Sequence, residues 1–364
     1  MERFFNFAEK HFMKRDFLVV GLGLSGLAIC EELEKRGHSF RVYEDNSQKS
    51  SFVAGGIFNP VILKRFTLAW DADEQLKVSI PFYQSLEQKL HIPLVHFWNI
   101  FRRFHSVEEQ NNWFVATDKE RLGEFLDTKL HQIDNPHISA PYSYGKVQQT
   151  GHVDTGKMLD AYRKYLAEKN SILFENFDYD QLQLEDGRVK YQDGHFEAVI
   201  FCEGFGLRRN PYFQYLPLRG NKGEYITIRS RELQLKEAIK SSVFILPLGD
   251  DLYKVGATYD NQDKSPEITS QACERLVQQV RQVINCDFEV VDQVAGIRPA
   301  MIDRRPIIGR HPEHSNLYCC NGFGSRGVLA GPVMARQLLD FIDDQSGIDA
   351  EVDLNRFTKK YFQH

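Results

Sequence analysis

The segment Asp16-Phe-Leu-Val-Val-Gly-Leu-Gly-Leu-Ser-Gly26 constrains this chain more than any other. A continuous apolar run reads as a buried parallel strand, and it opens directly into Gly21-x-Gly23-x-x-Gly26. The first glycine permits a tight turn, the second lets a pyrophosphate approach the backbone, and the third lets helix and strand pack closely. A helix predicted from about Ser25 to Arg36, with Leu27, Cys30 and Leu33 on one face, would offer its free N–H groups to the phosphates. Gly37 ends it, and Phe40-Arg-Val-Tyr-Glu44 reads as the second strand. Glu44 stands 18 residues past Gly26, near the spacing expected of a carboxylate on ribose hydroxyls. These features predict a βαβ dinucleotide site formed by Gly21, Gly23, Leu24, Ser25, Gly26, Glu44 and Asp45. An acid there argues against a 2′-phosphate, but the motif alone does not separate FAD from NAD.

The rest of the chain reads as two domains with several crossings. Helices are expected over 70–91, from Asp154 to Lys169, and from about Val328 to Ile342. Strands are expected at Val189–Tyr191, Ala198–Cys202 and Leu317–Cys320. Between about 218 and 290 the pattern turns to strands and hairpins, which predicts a separate antiparallel sheet. With 364 residues, 42% hydrophobic and 26% charged, the composition is that of a globular protein. A net charge of −5 gives no electrostatic case for nucleic acid as an obligatory partner, although local basic patches remain open. The six cysteines form no CxxC pair, which argues against a structural zinc site and suits a reducing cytoplasm. No stretch reaches the roughly 18 apolar residues of a spanning helix. Residues 1–13 read as an extra segment with no assigned function.

Four further stretches occur in order: Ala54-Gly-Gly-Ile-Phe-Asn-Pro60, Gly151-His-Val-Asp154, Gly296-Ile-Arg-Pro299 and Asn321-Gly-Phe-Gly-Ser-Arg-Gly327. Together they resemble the D-amino-acid oxidase superfamily of FAD-dependent oxidoreductases, which includes glycine oxidase and sarcosine oxidase. The helix after Asn59-Pro60 and the Gly-Ser-Arg-Gly turn look closest to the oxidase half of the bifunctional tRNA wobble-uridine methylaminomethyl enzyme. The resemblance implies an α/β, Rossmann-like FAD-binding domain (1–85, 145–212 and 290–364) with an interleaved α+β substrate domain built on an antiparallel sheet (86–144 and 213–289).

It also implies positions. Gly55, Gly56 and Ile57 would pass close to the flavin, and Cys202, Glu203 and Gly204 would close the strand beneath it. Tyr179 would touch the adenine. The turn Gly322, Gly324, Ser325, Arg326, Gly327, Val328 would aim N–H groups at the pyrimidine end. Arg298, also near the flavin, would fork a substrate carboxylate; the structural alternative is a pair with Asp303. Lys254 would favour reaction of reduced flavin with oxygen, or would simply face solvent. Phe244 replaces an active-site tyrosine of glycine oxidase, which predicts that this hydroxyl contact is absent, and Ser325 replaces a second arginine. No cysteine stands where sarcosine oxidases attach flavin, so FAD is expected to be noncovalent, and no metal is expected.

The resulting expectation is a cytoplasmic enzyme. It would take a hydride from the carbon beside the nitrogen of a small amine or amino-acid substrate. The imine would hydrolyse, and oxygen or an unknown acceptor would collect the electrons, giving H2O2 in the first case. Two alternatives stay open. One is oxidation of a carboxymethylaminomethyl-uridine in tRNA, with Lys64-Arg65, Arg102-Arg103 and Arg208-Arg209 as basic contacts. The other is a flavoprotein subunit of a larger dehydrogenase without turnover of its own.

Overall fold

The computed structural model describes residues 16–185 and 187–362; the segment 1–13 lies outside them. Strand Asp16–Val20 lies at the centre of a six-stranded sheet, pairing in parallel with Ser39–Tyr43 on one side and Ala198–Phe201 on the other. The order continues outward to Ile172–Leu173 at one edge, and through Leu317–Asn321 to an antiparallel edge strand Ile307–Arg310. Phe17, Leu18 and Val19 are fully buried, as a strand covered on both faces requires.

Helix Leu24–Lys35 packs on helix Gly327–Ile342, and both begin beside the sheet's carboxyl ends. Helix Ala72–Leu90 lies on the second of these. Pro332 has no N–H to return to the Val328 carbonyl, and Tyr83 Oη donates to that carbonyl at 2.9 Å. Ser79 Oγ donates to Leu329 O at 2.6 Å. The expected helix near 154–169 spans Thr155–Glu168, with Asp154 as a side-chain cap on Lys157 N and Met158, Leu159, Tyr162 and Leu166 buried.

The second layer is an eight-stranded sheet, mostly antiparallel, and wider than the sequence suggests. Leu218–Arg229, Phe244–Gly249 and Leu252–Gly256 lie where the hairpin pattern put them. Ala238–Lys240 extends them and pairs in parallel with Ile100–Arg103, which adds Tyr144–Val147 and Leu126–His131. At the other edge, Glu289–Met301 pairs along the whole length of Leu218–Arg229. The stretch 218–290 also contains a helix, Ser270–Arg281, where strands and turns alone were expected. Its buried residues Ala272, Leu276 and Val280 recur every fourth position, an apolar stripe that covers the sheet.

Candidate active site

A cavity of about 910 Å3 runs between the two sheets. At one end the glycine turn forms its wall. Gly21 has φ +92°, and a Cβ there would lie 2.7 Å from Cys202 O. A Cβ on Gly26 would lie 2.0 Å from Gly21 O, so this glycine is demanded by helix–strand packing rather than by a ligand. Neither N-cap residue, Gly23 or Arg326, supplies a side-chain cap, and at the first helix Ser51 Oγ accepts from Leu24 N at 3.1 Å. Two helix N-termini therefore face one space, which suits a diphosphate at one and an anionic ring edge at the other.

Glu44 fixes the turn from the neighbouring strand. Its carboxylate accepts from Leu22 N at 2.5 Å and Asn46 N at 2.9 Å, with Arg163 3.5 Å away. Burial raises its pKa against the pull of these donors. Asp45, Tyr179, Cys202, Glu203 and Gly204 line the same end. Tyr179 Oη donates to Glu203, which also accepts from Asn210 Nδ2 at 2.7 Å. Burial pushes the Glu203 carboxyl up to about 7.

Gly55, Gly56 and Ile57 form the side wall. At Gly56 (φ +63°) a Cβ would lie 1.9 Å from Val153 O, so the collision that excludes a side chain is with the protein backbone rather than with a bound ring. Lys254 does not line the cavity. Its ammonium donates to Ala54 O of this wall at 3.1 Å and sits 5.2 Å over the Tyr225 ring. Burial lowers its pKa.

At the far end, Gly324, Ser325, Arg326, Gly327 and Val328 line the cavity. Gly322 does not; its φ of +79° sets the turn against Met301. Gly324 N donates to Pro299 O at 2.8 Å and so ties this turn to the strand carrying Arg298. Arg298 faces the cavity with neutral partners, Asn221 Oδ1 at 2.8 Å and Thr258 O at 3.4 Å. The alternative partner Asp303 is held instead by Arg356 at 2.8 Å. Gly223, across the sheet, leaves the space into which the guanidinium packs.

Phe244 lines the cavity, with Lys240 Nζ 4.9 Å from its ring centre. Tyr225, Gly256 and Phe244 stand in one row across three strands. A Cβ on Gly256 would lie 2.4 Å from the Tyr225 ring, so its absence seats that tyrosine. A Cβ on Gly55 would lie 3.6 Å from Tyr225 Oη. A tyrosine thus does reach this end, from the strand next but one to Phe244, which reading Phe244 alone missed.

The three basic pairs are scattered. Lys64 lines the cavity rim and Arg209 its nucleotide end, whereas Arg102 is engaged by Glu109 and Arg208 by Leu218 O. His137, Glu232 and Cys286 bring their donor atoms within 4.8 Å of one another, a grouping that no sequence spacing signals. Among the described residues no helix is long and apolar enough to cross a membrane.

Residues 16–340 match the family described as FAD dependent oxidoreductase. The tRNA 5-methylaminomethyl-2-thiouridine biosynthesis bifunctional protein of Legionella pneumophila (strain Philadelphia 1) is 23% identical over 390 residues, covering 92% of this chain. The chain spans about half (55%) of that relative's length. Glycine oxidase of Geobacillus kaustophilus is 23% identical over 363 residues, covering 90% of this chain and 93% of the enzyme. The crystal structure of the latter superposes with a TM-score of 0.79 at 20% identity, covering 97% of this chain and 100% of that one. The iminodiacetate oxidase of Chelativorans sp. BNC1 gives 0.73 at 20% identity, covering 94% and 98%. A family pattern running through both glycine-rich turns, on a fold with two helix N-termini facing one cavity, places this chain in the FAD-dependent oxidoreductase family, with FAD as its cofactor.

Proposed function

We propose that the chain oxidises the C–N bond of a small amino acid or N-substituted amino acid. The observation that carries this reading is Arg298, a guanidinium turned into the cavity whose hydrogen-bond partners among the described residues are neutral. Such a cation invites an anion, and its planar fork matches a carboxylate. Tyr225 and Phe244 would form the wall beside it, one presenting a hydroxyl and the other an apolar face. Arg298 fixes the carboxylate and thereby the adjacent C–H, and an uncharged amine nitrogen drives the electrons out of that bond. The imine product then takes up water and releases carbonyl and amine. FAD, when bound, would supply the two-electron acceptor, with oxygen (giving H2O2) or another acceptor collecting the electrons.

The turn Gly21–Gly26 and the Leu24 helix end would hold the diphosphate, Glu44 the ribose, and the backbone of Gly324–Val328 the pyrimidine edge. FAD is taken as noncovalent. Lys254 would brace the Ala54–Gly56 wall. The six cysteines are free, which suits the cytoplasm as the place of action.

The test is the flavin absorbance of the holoprotein on anaerobic addition of D-, L- and N-alkyl amino acids. Bleaching by one of them, with KM raised strongly in Arg298→Ala, is the expected result. An unchanged KM would remove Arg298 from substrate binding. A second reading, oxidation of a carboxymethylaminomethyl-uridine in tRNA, is favoured by likeness to the Legionella protein over 92% of this chain and by Lys64 at the cavity rim. Salt-sensitive tRNA binding that Lys64→Glu weakens would select it.

A further inference from the structure

Charge divides along the cavity. Among the described residues that line it, the nucleotide end carries Glu44, Asp45, Glu175, Asp178 and Glu203 against one cation, Arg209, with Arg163 further out beside Glu44. The opposite end carries Lys64, Lys240, Arg298 and Arg326, and no acid lines it among the described residues. One carboxylate accounts for one of these four cations.

Arg326 is the most demanding of the rest. It stands at the start of the helix Gly327–Ile342, where a positive charge is opposed by the helix dipole. It is largely buried, and among the described residues its hydrogen bond is to a neutral group, Asn59 O at 3.2 Å. Burial pulls its pKa down, with no acid opposing that shift. A buried cation without a counter-ion is costly unless a ligand brings one. Asn59 leads into the Val61–Lys64 hairpin arm, so Lys64 stands on the same wall. Because Gly324 N is bonded to Pro299 O, this wall is fastened beside Arg298. Lys240 adds a third charge from the sheet, half-buried over Phe244.

We infer that the substrate is at least a dianion, with one carboxylate on Arg298 and a second carboxylate or phosphoryl group, on the amine substituent, received by the Arg326 side chain. This rests on the reading of the site as an amine-oxidising one. Gly324 N and Arg326 N are bonded to Pro299 O and Phe323 O, and the N–H groups of Ser325, Gly327 and Val328 are left for the cofactor, apart from the Arg326 guanidinium. Lys64 and Lys240 strengthen the field without fixing geometry, as single ammonium charges do.

The holoenzyme tests it in two ways. In turnover, N-(2-carboxyethyl)glycine and N-(2-phosphonoethyl)glycine are compared with N-propylglycine, which lacks the second anion. The dianions are expected to have kcat/KM at least about ten-fold higher, the scale of one charge-assisted hydrogen bond. Whichever dianion leads identifies the carboxylate or phosphoryl source. Arg326→Gln should lower kcat/KM for that dianion about ten-fold more than for N-propylglycine, and Arg326→Lys should restore part of the preference. In binding, glutarate and butyrate, which cannot be oxidised, are titrated against the flavin difference spectrum. Glutarate should bind about ten-fold tighter, and Arg326→Gln should erase the difference.

Equal affinity of the two acids, or an equal loss for both in Arg326→Gln, overturns the inference while leaving amine oxidation intact. The same holds if Arg326→Gln instead weakens sulfite addition to the flavin and leaves the glutarate preference unchanged, since the guanidinium then serves the cofactor. If no amine bleaches the flavin, the reading of the reaction fails, and the glutarate–butyrate ratio still decides the dianion site.

Discussion

A Cβ added to Gly223 would stand 2.1 Å from Arg298 Nη2, so the missing side chain at 223 is what allows the guanidinium to lie across its neighbouring strand. The two residues are offset along paired strands, Gly223 opposite Gly296 and Arg298 opposite Asn221. Asn221 then holds one nitrogen at 2.8 Å, leaving the remainder of the fork to the cavity. Gly223→Ala should push the guanidinium aside and raise KM for a carboxylate substrate about ten- to a hundred-fold, the cost of a charge-assisted hydrogen bond of roughly 1.5–3 kcal/mol. FAD content should stay unchanged. A variant with normal KM would show that Arg298 tolerates displacement and does not position the substrate.

Gly26 makes a sharper demand, because its hypothetical Cβ meets backbone rather than a flexible side chain, 2.0 Å from Gly21 O. Gly26→Ala must part the helix from the strand and widen the turn that faces the diphosphate. Purified variant protein should retain a small fraction of the wild-type FAD, read from the ratio of flavin to protein absorbance. The apoprotein should lose about 1–3 kcal/mol, as overpacked sites do. Full FAD occupancy in this variant would argue that the turn does not hold the cofactor.

The nucleotide end was legible because its requirements are local. Strand, three glycines, helix and Glu44 fall within 29 residues, and each constraint can be read from neighbours along the chain. The substrate end was not, because its geometry comes from strands far apart in sequence. Tyr225 reaches the cavity only because Gly256 and Gly55 leave room for its ring and hydroxyl, and both lie at least 31 residues away along the chain. Arg298's partners could not be read from sequence either, because Asp303 pairs with Arg356, on the helix Asn355–Tyr361, 53 residues further along the chain. Ile100–Arg103 and Tyr144–Val147 are four residues each, too short for alternation to announce a strand before a partner is known. Lys254 followed the strand pattern faithfully, yet its ammonium is taken up by Ala54 O, a partner 200 residues away in the chain.

Tyr83 is buried, and its hydroxyl satisfies the Val328 carbonyl that Pro332 strands. Tyr83→Phe removes the donor and leaves a buried carbonyl without it, which should cost about 1–3 kcal/mol in urea unfolding of the apoprotein. Val328 lines the cavity, so the helix end that it belongs to should also loosen and FAD should dissociate faster. An unaltered urea midpoint would mean that water replaces the tyrosine at this carbonyl.

Glu203 gives the stability a definite pH dependence. Its carboxyl is raised from an ordinary 4.5 to about 7, mainly because burial disfavours the charged form, and the donors Asn210 and Tyr179 only partly oppose this. Below the unfolded value both states hold the proton, and the raised pKa then contributes its full stabilisation. Between about 4.5 and 7 the folded chain keeps a proton that the unfolded chain has released, so this contribution shrinks as pH rises. Above about 7 both states have lost it and the carboxylate remains buried. Glu203→Gln removes the titration while keeping an amide oxygen that can accept from Tyr179 or Asn210. The urea midpoint of the wild-type apoprotein should therefore fall relative to that of Glu203→Gln as pH is raised from 5 to 7. Parallel profiles over that window would place the Glu203 carboxyl in contact with water and remove burial as the cause of its shift.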